Sequence, residues 1–324
     1  MPTRGDSFEF DHTISHGDVD FIGELKVPAL LGLLEQSAIE ASSRLGFHTN
    51  WYSEQGGYWI VRRTRLERHA ALGGHDRVRV RTWVDDFRRA RSIRRYELHR
   101  VGETAAAITA STDWVFCDAT SGRPRRVPKE MEKAFSGAAG SLPARPRAAA
   151  VALPDAASAQ TLVRRVRASH LDHVVHVNNG VWASFLEDGA EALLAHHGWN
   201  VPEMLSRGGA FRLKRLDLEY LTEGLPGDTL TVHSAFAGEP PPDSDPGGHA
   251  PPLPAAETEA SLLPQSLGSA GEEATTRAPL PRNEGASFDL LQSVEKSGAA
   301  TAIRSSSHWQ WLRCADVLGH PPAR

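Results

Sequence analysis

A register of matches at an offset of 152 residues runs without a gap from residue 20 to about residue 86 of this 324-residue chain. Asp20 falls on Asp172, Gly46-Phe47 on Gly198-Trp199, Gly56-Gly57 on Gly208-Gly209, and Trp59 on Phe211. Arg62-Arg63 falls on Lys214-Arg215, Leu66-Glu67 on Leu218-Glu219 and Asp76 on Asp228, with Val78 and Val80 on Leu230 and Val232. Few of these are identities, but apolar pattern and glycine punctuation coincide, which marks one fold built twice. The match resumes at an offset of 195, with Ser92-Ile93 on Ser287-Phe288, Ile108 on Ile303 and Trp114 on Trp309. The difference is a 43-residue insertion within about 238–286, where 10 of the 21 prolines lie among Gly, Ser and acidic residues. That composition buries too little apolar surface to order itself, so a disordered loop between two strands is predicted.

Each copy reads as a strand, a long helix and several more strands. The strands are Phe8 to Ile14 and Thr161 to Val166. In copy one the helix is predicted over Pro28 to Leu45, with proline in its first turn and Leu31, Leu34, Ala38, Ala41 and Leu45 in one stripe. Residues 77–84 alternate polar and apolar, as a strand with one wet face does. Ser92 to Arg100 and Ala107 to Phe116 read as a hairpin turning near Gly102. One long helix against a sheet of about five antiparallel strands is an α+β unit. The expected organisation is an N-terminal domain at 1–137, a linker at 138–158 rich in Ala, Pro and Gly, and a C-terminal domain at 159–324.

Composition excludes several classes. No apolar run approaches the ~20 residues that span a membrane. The first residues, Met-Pro-Thr-Arg-Gly-Asp-Ser, carry no apolar signal region. Cys117 and Cys314 are the only cysteines, too few for a cysteine-built zinc cluster or a disulfide framework. A cytoplasmic protein without cofactor or metal is expected. The net charge of −4 is uneven: residues 1–150 carry 23 Lys and Arg against 19 Asp and Glu, a surplus of 4, and the remainder a deficit of 8. A basic N-terminal half with Arg62, Arg63, Arg65 and Arg68 on one strand suggests either a solvated face or a docking face for an acidic partner.

Chemistry concentrates in Ser169 to Glu187, where an acid, three histidines and two asparagines stand before a helix. Asn178 or Asn179 suits the N-cap, Val181, Phe185, Leu186, Ala190, Leu193 and Leu194 recur at helical spacing, and Gly198 suits the stop. Free N–H groups at Val177, Asn178 and Asn179 and the positive end of the helix suit a carbonyl oxygen gaining charge. The repeat acts as an internal control. Asp172 is matched by Asp20, so it can serve the fold alone. His176 faces Glu24, Asn178-Asn179 faces Lys26-Val27 and Glu223 faces Ala71, so only the second copy has the reactive set.

Leu171-Asp172-x-x-x-His176-Val-Asn-Asn-x-Val-Trp182 resembles the Asp-x-x-x-His-Val-Asn-Asn signature of hotdog-fold thioesterases. With Arg94-Arg95-Tyr96-Glu97, Ser111-Thr-Asp-Trp-Val-Phe116, Gly122-Arg-Pro-x-x-Val-Pro128 and Leu218-Glu-Tyr-Leu-Thr-Glu223, the chain resembles the acyl-acyl-carrier-protein thioesterases of plants and bacteria. The resemblance implies two tandem hotdog domains, each a long central helix wrapped by an antiparallel sheet. The first would hold the acyl pocket and the second the catalysts. It implies Asp172, His176 and Glu223 as catalytic residues. Two positions depart from the family pattern: its Asn is Val174 here, and its Cys after the Glu is Gly224.

The implied reaction is hydrolysis of a fatty acyl thioester to end fatty acid synthesis. A desolvated Glu223 would take a proton from water. His176 would orient that water or protonate the thiolate, and Asp172 would fix the imidazole. The partners expected are acyl carrier protein or acyl-coenzyme A, with neither nucleic acid nor membrane, in a monomer or homodimer. The alternatives are an acyl-coenzyme A thioesterase, an acyl-binding hotdog protein without catalysis, and an acyl-thioester hydratase or dehydratase. The last resembles Asp-x-Asn-Pro-x-His at its site, whereas this chain has no proline between Asp172 and His176.

Overall fold

A computed structural model describes residues 7–135, 149–155, 157–244, 286–297 and 301–313. In the first copy β1 (Phe8–Thr13) leads to α1 (Val27–Arg44) and the short α2 (Thr49–Gln55). Next come β2 (Gly57–Arg68), β3 (Arg77–Arg88), β4 (Arg91–Arg100), β5 (Ile108–Asp118) and α3 (Lys129–Phe135). The second copy has β6 (Gln160–Arg165), α4 (Asn179–His196), α5 (Val201–Ser206), β7 (Gly209–Tyr220), β8 (Thr229–Phe236), β9 (Ser287–Lys296) and β10 (Thr301–Arg313). All ten strands form one antiparallel sheet in the order β1-β3-β4-β5-β2-β7-β10-β9-β8-β6. Read from either edge, the order of corresponding strands is the same.

The copies are related by a pseudo-twofold axis between β2 and β7. Their register pairs Arg63 with Glu219, Thr64 with Leu218, Arg65 with Asp217 and Leu66 with Leu216. Under the 152-residue offset the pair Arg65–Asp217 maps onto itself and the others exchange. The bulge between Val61 and Arg63 opposite β5 recurs between Leu213 and Arg215 opposite β10. A second self-mapped pair lies at the helix starts. A Cβ placed on Gly180 would meet the Pro28 carbonyl oxygen at 3.0 Å, so glycine there lets α1 and α4 cross closely.

Each helix buries one stripe against the sheet. In α1 it is Leu30, Leu31, Leu34, Ala38 and Ala41; in α4 it is Trp182, Ala183, Phe185, Leu186, Ala190, Leu193 and Leu194. Each large apolar side chain so buried contributes about 1.5–3 kcal/mol. Gly46 and Gly198, at φ of 88° and 83°, turn the chain away after the helices. The helices of both copies share one continuous core with the inner sheet face.

Three expectations change. The β3 strand extends to Arg88 instead of stopping near residue 84. In β9 the match slips by one residue: Trp114 pairs with Ser92, and Trp309 pairs with Phe288 instead of Ser287. A one-residue slip reverses every side chain, and the observed pairing keeps Phe288, Leu290 and Gln292 on the buried face where Ser92, Arg94 and Tyr96 lie. The basic face of β2 is not free. Arg62 pairs with Glu219, Arg63 and Arg65 with Asp217, and Arg68 is buried against Glu24. Of the expected insertion, residues 245–285 lie outside the described residues, as does most of the linker. Described linker residue Ala149 accepts from Arg63 Nη1 at 2.6 Å, which ties the linker to β2.

Candidate active site

The loop before α4 is a tight turn closed by Asp172. Its Oδ1 accepts from the N–H of Val174 at 3.0 Å and of His176 at 3.2 Å. Its backbone N–H donates to the His176 carbonyl at 2.9 Å. Copy one builds the same turn: Asp20 Oδ1 accepts from Ile22 and Glu24, and Asp20 N–H donates to the Glu24 carbonyl. The shared aspartate is therefore a loop tie in both copies. Among the described residues no side-chain hydrogen bond joins Asp172 to the His176 imidazole, so the expected fixing of the ring by this carboxylate is not seen. The third turn residue takes positive φ in both copies, as Gly23 at 84° and as Val175 at 64°. A β-branched residue there is strained by about 1–3 kcal/mol.

Of the three amides expected to face a carbonyl oxygen, two are engaged. Val177 N–H donates to the Gly224 carbonyl at 2.9 Å, and Asn178 N–H to the His170 carbonyl at 3.0 Å. Asn178 is the cap, its Oδ1 accepting from Gly180 N–H at 2.8 Å. That leaves Asn179, the first helical residue, as the amide at the positive end of α4. Val174, in the place of the family's Asn, is exposed and contributes its N–H to Asp172.

Glu223 follows β7 and is exposed, not desolvated as expected. Its carbonyl accepts from Lys296 Nζ at 3.2 Å, and its carboxylate lies within electrostatic reach of the Tyr58 phenol. Gly224 packs closely: a Cβ there would stand 2.6 Å from Val177 Cγ2 and 2.7 Å from Trp182 Cζ2. The family's cysteine therefore has no room on this backbone.

The desolvated carboxyl is one the sequence did not single out. Glu35 on α1 of the first copy reaches across to the start of α4. Burial pushes its carboxyl above the ordinary carboxylate range, the Asp172 charge adds to that, and a hydrogen bond from the Asn179 side-chain amide and the charge of His173 act oppositely. It lines a small cavity with Leu31, Leu34, Val61, Thr64, Asn179 and Tyr220. The Tyr220 hydroxyl there is buried, near the Thr64 hydroxyl but without a well-formed hydrogen bond. The sequence signal for Glu35 was available, because the 152-residue offset places Glu187 on it.

The corresponding site of copy one is filled by charge. Glu24, the counterpart of His176, is 2% exposed and pairs with Arg68 at 2.9 Å. Arg212 reaches Asp20 at 2.8 Å and Glu24 at 3.8 Å. Glu187, burial raising its carboxyl to about 7 against the pull of Arg68 and Arg212, faces Asp20 and the Val27 amide. At the corresponding places near α4 the guanidiniums are replaced by Tyr220 and Ile60. Among the described residues no three His, Cys, Asp or Glu side chains converge as ligands for a metal ion. No described helix is long and apolar enough to cross a membrane.

Comparison with known proteins fits this geometry. Residues 5–135 match the model of the acyl-ACP thioesterase N-terminal domain. No curated protein matches the chain in sequence. A Lactobacillus plantarum structure assigned as an oleoyl thioesterase is 16% identical with a TM-score of 0.68, over 95% of this chain and 97% of that one. An acyl-ACP thioesterase from Bacteroides thetaiotaomicron is 16% identical with a TM-score of 0.64, over 94% and 98%. The 12:0-ACP thioesterase of Umbellularia californica is 15% identical with a TM-score of 0.64, over 94% of each chain. At such identities the likeness is one of fold, the tandem hotdog.

Proposed function

We infer from the match of residues 5–135 to the acyl-ACP thioesterase N-terminal domain that the protein is a thioester hydrolase that releases free fatty acid from a fatty acyl thioester. The acyl handle is acyl carrier protein, and the reaction ends fatty acid synthesis in the cytoplasm. The observation that carries the reading is the asymmetry of the repeat: ion pairs seal the helix start of copy one, while that of copy two keeps a histidine, an amide and a cavity. A single chain supplies both halves of this site.

In this reading the thioester carbonyl lies at the start of α4, its oxygen facing Asn179 N–H. The helix dipole and amide favour the charge that develops there as water adds. Water oxygen bonds to the carbonyl carbon, the C–S bond breaks, and the proton the water gives up passes to the thiolate. Asp172 holds the loop that presents His176, and His176 orients water or protonates the thiolate. Glu223, exposed after β7, orients water or the departing thiol. The test is release of free thiol from acyl-carrier-protein and acyl-coenzyme A thioesters across a series of chain lengths. Release from the carrier protein is expected; binding without release, or hydration of the acyl chain, contradicts the reading.

A further inference from the structure

We propose that Glu35, on the central helix of the first repeat, is the group that takes the proton from the attacking water at the site of the second repeat. The inference rests on the thioesterase reading above and assigns its water-activating step. Three observations carry it. Glu35 shares a small cavity with Asn179, whose backbone amide the reading above gives to the carbonyl, and with the buried Tyr220 hydroxyl, which has no well-formed partner. Among the described residues no Lys or Arg forms an ion pair with Glu35. Its repeat partner Glu187 lies in the field of both Arg68 and Arg212. Glu223, the residue the family pattern offers for this step, is exposed to solvent.

A carboxylate largely withdrawn from water and left without a guanidinium or ammonium partner is a stronger base than one in solvent. The groups facing Glu35 are Asp172 and His173 on the loop before α4, Asn179 on α4, Tyr96 on β4 and Tyr220 on β7. In the step, a water O–H proton passes to the Glu35 carboxylate as the water oxygen bonds to the carbonyl carbon. When the C–S bond breaks, the thiolate takes up the proton held by Glu35, either directly or through His176, which gives a proton to the thiolate and receives the one from Glu35. The enzyme is then regenerated with fatty acid and thiol released. The twin Glu187 does none of this, because it lies in the field of Arg68 and Arg212 and its partner amide, Val27, is already held by its own carboxyl.

The test uses the full chain and measures thiol release from acyl-carrier-protein thioesters against pH. Glu35→Gln is expected to lower kcat about 100-fold or more with KM little changed, and to abolish the acid limb of the kcat/KM profile. Glu35→Asp is expected to fold, to lose about 10-fold in kcat and to keep a displaced acid limb. Glu187→Gln is expected to leave kcat unchanged. Should Glu35→Gln fail to fold, Glu35→Asp decides, since wild-type kcat and an unmoved acid limb in that variant overturn the proposal. Wild-type activity in Glu35→Gln alongside lost activity in His176→Ala overturns the role of Glu35 and leaves the hydrolase reading standing. No thiol release by the wild-type chain from any acyl thioester overturns both.

Discussion

Glu35 and Glu187, one repeat apart, each reach the first turn of the other repeat's central helix: Glu35 faces Asn179, and Glu187 faces the Val27 amide. The close helix crossing at Pro28 and Gly180 makes this exchange possible. The two carboxyls differ in their company. Glu187 has two guanidiniums near it, and Glu35 has the Asp172 carboxylate, the Asn179 side-chain amide and a small cavity shared with Tyr220. One scaffold thus holds a sealed site and an open one.

The sealed site is a structural load. Removing Glu24 leaves the guanidinium of Arg68, itself 5% exposed, buried without its partner. Loss of one member of a buried pair costs about 3–5 kcal/mol. Glu24→Ala is expected to lower the denaturant midpoint accordingly, while the folded fraction keeps wild-type turnover. An unchanged midpoint would show that the pair is not a structural tie.

Glu187 makes stability depend on pH. Its folded value, about 7, lies above the ordinary 4.5, so the folded state holds its proton where the unfolded state has lost it. Its favourable contribution is fully present below about pH 4.5 and is lost as pH rises to about 7. Each unit of difference is worth roughly 1.4 kcal/mol. Glu187→Gln is expected to flatten the fall in unfolding free energy over that window and to be more stable than wild type above it. Parallel curves for the two proteins would refute the assignment.

Val175 sits in the left-handed region that copy one gives to Gly23. Relief of that strain outweighs the added freedom of an unfolded glycine, so Val175→Gly is expected to stabilise by about 1 kcal/mol. Differential scanning calorimetry should show a higher Tm; a lower Tm would mean that the valine side chain is held by contacts worth more than the strain.

Much of this is legible in the sequence itself. The offset of matched residues encodes the pseudo-twofold register through Arg65 and Asp217, because a duplicated strand paired with itself must do so. The Asp172 turn was visible in its repeat, as was the helix start at Asn178. Other features were hidden for physical reasons. The β9 slip was masked because Ser287 copies Ser92 by identity, while burial selects Phe288. Glu35 lies beside the apolar stripe of α1 and gains its meaning only when the second repeat covers it. That Arg62, Arg63, Arg65 and Arg68 are paired depended on which strand lay alongside β2.

The central claim is that only the helix start of the second repeat hydrolyses thioesters. The decisive measurement compares kcat for thiol release from an acyl-carrier-protein thioester in His176→Ala and in Glu24→Gln, each corrected for its folded fraction. The account predicts a loss of about 100-fold or more in His176→Ala and wild-type turnover in Glu24→Gln. Equal losses in the two variants, or full turnover in His176→Ala, would contradict it.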